Sequence, residues 1–277
     1  MSKKQLIMKK ALELFAKQGF EATSVQQITD YCGISKGAFY LSFKSKDELI
    51  HGLIDHFMQQ LTVDVDYTVR HSNSNDILYY FFHTTFQAFL KHANFVKLLM
   101  KEQTYSLNDE LLTKMHYYDQ KTDETILSMI VKAYGEKINN IKYDLIFTIK
   151  GLINGYAGFI LFNKIEFNVD LVARSLVEKT NLLAKNITTP FITKDYIHMF
   201  HKLEKEEISK GDLLIQIAAV LEELEDSIEK ESLLLLKEQI TNLTYNAAII
   251  KGLIENIRKH PQCVWISYTL MKYFYIQ

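Results

Sequence analysis

Apolar residues recur at helical spacing along almost the whole chain. Ile7, Ala11, Leu14 and Phe15 fall three and four apart over residues 3–18, with lysines on the other faces. Gly19 follows, the residue type that best tolerates a left-handed C-cap. Thr23-Ser24-Val25-Gln26 then fits a capping box in which Thr23 accepts a backbone N–H and Gln26 reaches back. The short helix it opens has Val25 and Ile28 inward and stops around Cys32-Gly33. Ser35 predicts the N-cap of a third helix, with Phe39 and Phe43 four apart on one face. Ser45-Lys46-Asp47-Glu48 is a second capping box, opening a fourth helix through Leu49, Leu53 and Phe57.

Beyond residue 65 the same period predicts long amphipathic helices over 76–92, 94–103, 107–135, 141–163 and 168–186. Asn73-Ser74-Asn75 and Asn139-Asn140 mark turns between them. Thr188-Thr189-Pro190 breaks the pattern, since proline cannot continue a helix from within. After it the spacing predicts a helix over 195–208 and a restart at Gly211-Asp212. A pair of long helices packed as a hairpin is then expected from the periodic run Leu213, Ile217, Leu221, Leu224 and Ile228, continued after the polar stretch 225–232 by Leu235, Leu236, Ile240 and Leu243. Pro261 precedes a last short helix holding Trp265. The expectation is an all-α chain in three parts: a small head over 1–60, a larger helical body over 61–190, and a C-terminal helical extension over 191–277 packed on the body.

Composition agrees and removes several function classes. Two prolines and ten glycines in 277 residues leave few helix breakers. The net charge of −1 does not announce a nucleic-acid binder, yet residues 1–50 hold eight lysines against five acids. Cys32 and Cys263 form no CxxC pattern, so neither a disulfide scaffold nor a zinc knuckle is indicated, and a cytoplasmic location is expected. The lysine-rich start has no apolar run after it, so no signal peptide is expected. Leu145 to Ile165 is long enough to cross a bilayer. Lys150, Asn154 and Asn163 interrupt it, and a buried helix with no membrane role is the expectation. There is no nucleophile elbow, phosphate loop, dinucleotide fingerprint or HExxH, so neither an enzyme nor a cofactor is expected.

Residues 23–43 have the layout of a helix-turn-helix: Thr23–Tyr31, the turn Cys32-Gly33-Ile34, then Ser35–Phe43. Ile28, Ile34, Phe39 and Phe43 would join the two helices, leaving Lys36, Gly37, Tyr40, Leu41 and Ser42 outward. The series Ala11, Leu14-Phe15, Gly19-Phe20, Thr23-Ser24-Val25, Ile28, Gly33-Ile34-Ser35-Lys36-Gly37, Phe39-Tyr40, Phe43-Lys44-Ser45-Lys46 and Glu48-Leu49 resembles the DNA-binding head of the TetR family over residues 5–55. The resemblance implies that Thr23 caps the second helix near a phosphate and that Ser35, Lys36 and Gly37 open the recognition helix. It implies that Tyr40 offers its hydroxyl to a phosphate, that Leu41 and Ser42 face the groove, and that Lys46 neutralises the DNA backbone. Leu41 departs from the more polar residue often found there; it either touches a thymine methyl or packs.

The resemblance also implies a homodimer on a palindromic double-stranded operator, acting as a repressor released by a small, largely apolar effector. Dimers of that family pair through a four-helix bundle, here from 141–163 and 168–186, and Gly151, Gly155 and Gly158 give a face for close approach, with intrachain packing of that face as the rival reading. Tyr79, Phe82, Phe86, Phe89, Tyr105 and Tyr117 are the candidate ligand pocket, although aromatics at this spacing also make plain core. His83, His92 and His116 lie in the same region without an HxxxH pair, so no metal is assigned. The alternative is a DNA-binding protein of the same fold that organises the chromosome and takes no small ligand.

Overall fold

The computed structural model describes residues 3–101, 109–163, 166–193 and 209–274. Among these residues there are thirteen α-helices and no strand. They are α1 (Lys3–Gln18), α2 (Val25–Cys32), α3 (Lys36–Tyr40), α4 (Lys46–His71), α5 (Ile77–Lys91), α6 (Ala93–Lys101), α7 (Asp109–Tyr134), α8 (Lys142–Phe162), α9 (Val169–Asn186), α10 (Lys210–Glu223), α11 (Ile228–Thr241), α12 (Ala247–Arg258) and α13 (Val264–Tyr273). The chain divides into two compact units, Met1–Ile197 and His198–Gln277.

The first unit holds two cores. The head core collects Ile7, Ala11 and Phe15 of α1, Ile28 of α2, Phe39 of α3, and Leu49, Ile50 and Leu53 of α4. It is completed by Phe95, Val96 and Leu98 of α6 and Leu161 of α8, so the head borrows part of its apolar floor from the body. The body core gathers Val65 and Val69 of α4, Phe81, Phe82 and Phe86 of α5, Ile126 and Ile130 of α7, Ile146 and Ile149 of α8, and Leu176 of α9. Both α4 and α8 contribute to the two cores, and α4 runs unbroken across residue 60.

Three elements differ from the sequence expectation. The helix begun by Ser35 stops at Tyr40 instead of reaching Phe43, because Ser42 and Phe43 both donate to the Phe39 carbonyl, tightening the exit toward the next cap at Ser45. The fourth helix continues to His71, although the polar Asp66 sits on its buried face and hides the period. Asp66 is tolerated there because Arg70, one turn on, donates to it at 2.6 Å. A helix over Ala247–Arg258 was not expected: Asn246 caps it, accepting from the Ile249 N–H at 3.1 Å, and Ile250, Ile254 and Ile257 are its buried stripe. The helix expected over 195–208 lies outside the described residues.

The apolar helix α8 is long enough to span a membrane by length and composition. Its buried residues Leu145, Ile146, Ile149, Ile153 and Ala157 nevertheless pack within the body core. Lys150 is held by Asp119 and Asp123, each at 2.7 Å. Burial alone would lower the Lys150 pKa, but the two carboxylates reverse this and raise it.

The second unit is closed by its own polar staples. The Gln239 side-chain oxygen accepts from the N–H groups of Thr244 and Tyr245, both at 2.8 Å, and so shapes the turn between α11 and α12. Asn256 of α12 donates to Ser232 of α11 at 3.1 Å. Leu233, Leu236, Ile254 and Ile257 on these helices are buried.

Candidate nucleic-acid interface

The second helix is capped by Ser24, one residue later than the sequence reading placed the cap. Ser24 Oγ accepts from the Gln27 N–H at 3.2 Å and Gln27 Oε1 accepts from the Ser24 N–H at 2.8 Å, closing the box in both directions. Thr23 is not the cap: it is wholly buried, and its hydroxyl donates to the Gly19 carbonyl at 2.7 Å. Gln26, expected to close the box, bonds Asp30 instead. Both Thr23 and Ser24 have glutamine three residues on, so the sequence left a choice of register. Burial of Thr23 under the α1–α2 turn resolves it.

The turn and the third helix follow the expected chemistry. Gly33 adopts φ 67°, in the left-handed region, and its N–H returns to the end of α2. Ser35 caps α3, accepting from the Ala38 N–H at 3.2 Å. Ser45 caps α4 from the Glu48 N–H at 3.0 Å, while the Glu48 carboxylate accepts from the Lys44 N–H, one residue before the cap. Tyr31 donates to Glu13 at 2.7 Å and ties α2 to α1; that bond, followed by the one from Lys10, holds the Glu13 carboxyl below its usual range.

These caps fix one outward face. Ile28, Phe39 and Phe43 are buried and Ile34 is partly buried against the same core. Ser35, Lys36, Gly37, Tyr40 and Leu41 are exposed, and Ser42 is half-buried. The Tyr40 ring stands edge-on to Phe39 with centroids 5.4 Å apart, so the tyrosine is braced at its base while half its surface meets solvent. A helix whose inner face is locked and whose outer face carries a cation, a glycine and a phenol can lie against a duplex without rearranging.

Lys46 takes a different place from the rest. Its ammonium donates to the Phe20 carbonyl at 2.9 Å and reaches the Glu21 carbonyl at 3.4 Å. Gln18 holds the other side of the same turn, donating to the Ala22 carbonyl at 3.0 Å and to Thr23 Oγ1 at 3.1 Å. Neither clamp was visible in the sequence, since Lys46 acts on carbonyls 25 and 26 residues away. Lys46→Met should therefore lower stability by about 1 kcal/mol. If the ammonium also neutralises a phosphate, the slope of log affinity for DNA against log salt should flatten by about one in the same variant; an unchanged slope assigns Lys46 to the turn alone.

The described candidate pocket residues differ in burial. Phe82 and Phe86 are wholly buried between α5 and its neighbours, and Phe89 is partly buried where the two cores meet. Tyr117 is partly exposed, with its ring near Tyr118 and the Lys121 ammonium, and Tyr105 lies outside the described residues. Tyr79 lines a surface groove of about 730 Å³ between α5 and α9, where its hydroxyl donates to Asp170 and Arg174 lies over its ring. That groove, walled also by Tyr80, Val177 and Leu182, was not anticipated.

The three glycines of α8 separate in the same way. A Cβ on Gly151 or Gly155 would meet open space, but one on Gly158 would touch the Met100 side chain at 3.5 Å. Gly151 and Gly155 therefore lie on an outer face, shared with Phe147, Phe159 and Phe162, while Gly158 packs toward α6.

Residues 7–53 match the family described as bacterial regulatory proteins, tetR family. The uncharacterized HTH-type transcriptional regulator YerO of Bacillus subtilis (strain 168) is 29% identical over 266 residues, a match covering 92% of this chain and 89% of that one. Among solved structures, the TetR family transcriptional regulator PfmR from Thermus thermophilus superposes with TM-score 0.54 at 19% identity, covering 66% of this chain and 99% of the other. The transcriptional regulator FadR from Bacillus subtilis, solved in complex with stearoyl-CoA, superposes with TM-score 0.55 at 18% identity, covering 66% and 98%. Both structures are matched nearly end to end, so this chain is longer than either by a further helical segment.

Proposed function

We propose that this chain, whose residues 7–53 match the tetR family of bacterial regulatory proteins, is a DNA-binding transcriptional regulator: a homodimeric repressor of a palindromic operator, released by a small, largely apolar effector. It is a regulator and not an enzyme, as its relatives are. The observation that carries the reading is the outward face of α3, where Lys36, Gly37, Tyr40 and Leu41 are exposed on a helix fixed by its Ser35 cap and a buried Phe39. Residues 1–60 act as reader, 61–190 as sensor and dimer body, and 191–277 as a C-terminal extension, all in the cytoplasm with the chromosome.

Gly37 supports close backbone approach to DNA. A Cβ there would meet only Ser35 Oγ at 3.8 Å, an ordinary contact, so nothing inside the fold demands glycine. Glycine within a helix costs up to about 1 kcal/mol relative to alanine. Gly37→Ala should thus raise thermal stability slightly while weakening operator binding, opposite signs that a melting curve and a binding titration read separately.

The dimer is proposed to pair through α8 and α9. Phe159 is 59% exposed and Phe162 50%, beside the open Gly151 and Gly155, and Leu171 and Leu182 are exposed on α9. Apolar side chains of this size in solvent are what a second copy would cover.

An effector lodging beside Phe82 and Phe86 must part the packing of α5, α7 and α8. The displacement would reach the head through Phe95, Val96 and Leu98, which belong to the head core although α6 lies in the body. The effector acts only as far as it prefers the parted state. The stearoyl-CoA held by one protein of similar fold makes a long-chain acyl thioester the first effector to try. Operator release would be followed by fluorescence anisotropy as stearoyl-CoA is added; release supports a sensor of acyl thioesters, and unchanged anisotropy across a panel of apolar ligands favours the chromosome-organising alternative.

A further inference from the structure

The exposure of Leu41 decides between reading a base and packing, a question that rests on the DNA-binding reading above. Leu41 is 88% exposed, more than any other large hydrophobic side chain among the described residues; Phe191, the next, is 74% exposed. Packing is therefore not its role in the folded chain. Its backbone is nevertheless fixed: it is the C-cap of α3, in right-handed helical conformation, and its N–H donates to the Gly37 carbonyl at 3.1 Å. Leu41 lies four residues after Gly37 and one after Tyr40, so on the helical period all three fall on the face presented outward. The glycine lowers that face and the leucine crowns it.

A leucine has no donor or acceptor, and the edges of base pairs in the major groove carry one apolar group, the C5-methyl of thymine. We propose that Leu41 is a specificity residue that reads thymine through its methyl group, so that each operator half-site contains one thymine whose methyl contributes to affinity. The neighbouring groups divide the remaining work: Lys36 and the Tyr40 phenol are suited to phosphate, which positions the helix without reading sequence.

The test uses the full-length protein and the duplex it selects from a random pool. Each thymine of the selected half-site is replaced singly by deoxyuridine, which removes the methyl and leaves pairing intact, and affinity is measured for wild type and Leu41→Ala. One position in the half-site should weaken wild type about fourfold, the burial of one methyl converted at tenfold per 1.4 kcal/mol. Leu41→Ala should bind the parent duplex more weakly and lose its response to that deoxyuridine, while its melting temperature stays that of wild type because the side chain touches little. A flat deoxyuridine scan, a half-site without thymine, or a Leu41→Ala variant that keeps the full response overturns the assignment and leaves the DNA-binding reading standing. Failure to enrich any duplex removes both.

Discussion

Phe39→Ala will cost the protein about 3–5 kcal/mol of stability and remove operator binding with it. Phe39 is wholly buried, braces Tyr40 edge-on, and lies beside Phe43 with centroids 6.0 Å apart. It is the one fully buried side chain of a five-residue helix, which is too short to persist without it. Alanine would leave a void among Ile28, Leu49 and Phe43, and α3 would have nothing holding its outward face in register. Because α6 and α8 complete the same core, the loss should spread into the body, so that urea unfolding shifts as one transition. Tyr40→Ala is the contrast, with about half its surface already in solvent: little change in the unfolding midpoint, but weaker DNA binding. Equal midpoints for Phe39→Ala and wild type would mean that the head is not packed as described.

The second large effect tests the proposed dimer. Phe159→Glu combined with Gly155→Leu should yield monomers by sedimentation and lower operator affinity by roughly a hundredfold or more, since two tethered heads gain about 10²–10⁴ in avidity over one. Among the described residues both positions face outward: Phe159 is 59% exposed and a Cβ on Gly155 meets open space. The folded monomer should therefore survive the change, with an unaltered helical spectrum. Binding to an isolated half-site should be nearly unaffected. A variant that remains dimeric would place the interface elsewhere than on the outer face of α8.

The parts of this fold that were legible in the sequence were those set by local chemistry. Ser35 and Ser45 cap the helices they precede, Gly33 takes the left-handed turn, and Pro190 falls in the break after α9. The register of the cap at Thr23 or Ser24 was not decidable locally, because glutamine follows each by three residues and only burial distinguishes them. The length of α3 was illegible for a related reason, since one turn of helix has no period to read. Asp66 obscured the continuation of α4, because its partner Arg70 matters only once the helix is assumed. The site divides along the same line. The exposed residues of α3 follow from its apolar face, whereas the engagement of Lys46 with the Phe20 and Glu21 carbonyls depends on chain folding and has no sequence signature. Phe82 and Phe86 show the limit on the sensor side: helical spacing marks a side chain as inward without telling core from cavity.

Sequence-specific binding by a symmetric dimer is read by selecting bound duplexes from a random pool with the full-length protein and then measuring the affinity of the enriched sequence for wild type and Tyr40→Phe. A dimer with two recognition helices about 34 Å apart predicts one enriched palindrome with half-sites about one turn apart, bound more weakly when the Tyr40 hydroxyl is removed. A bound pool in which no sequence rises above the background, or one whose enriched site lacks two-fold symmetry, would contradict the account of this chain as a dimeric, sequence-reading repressor.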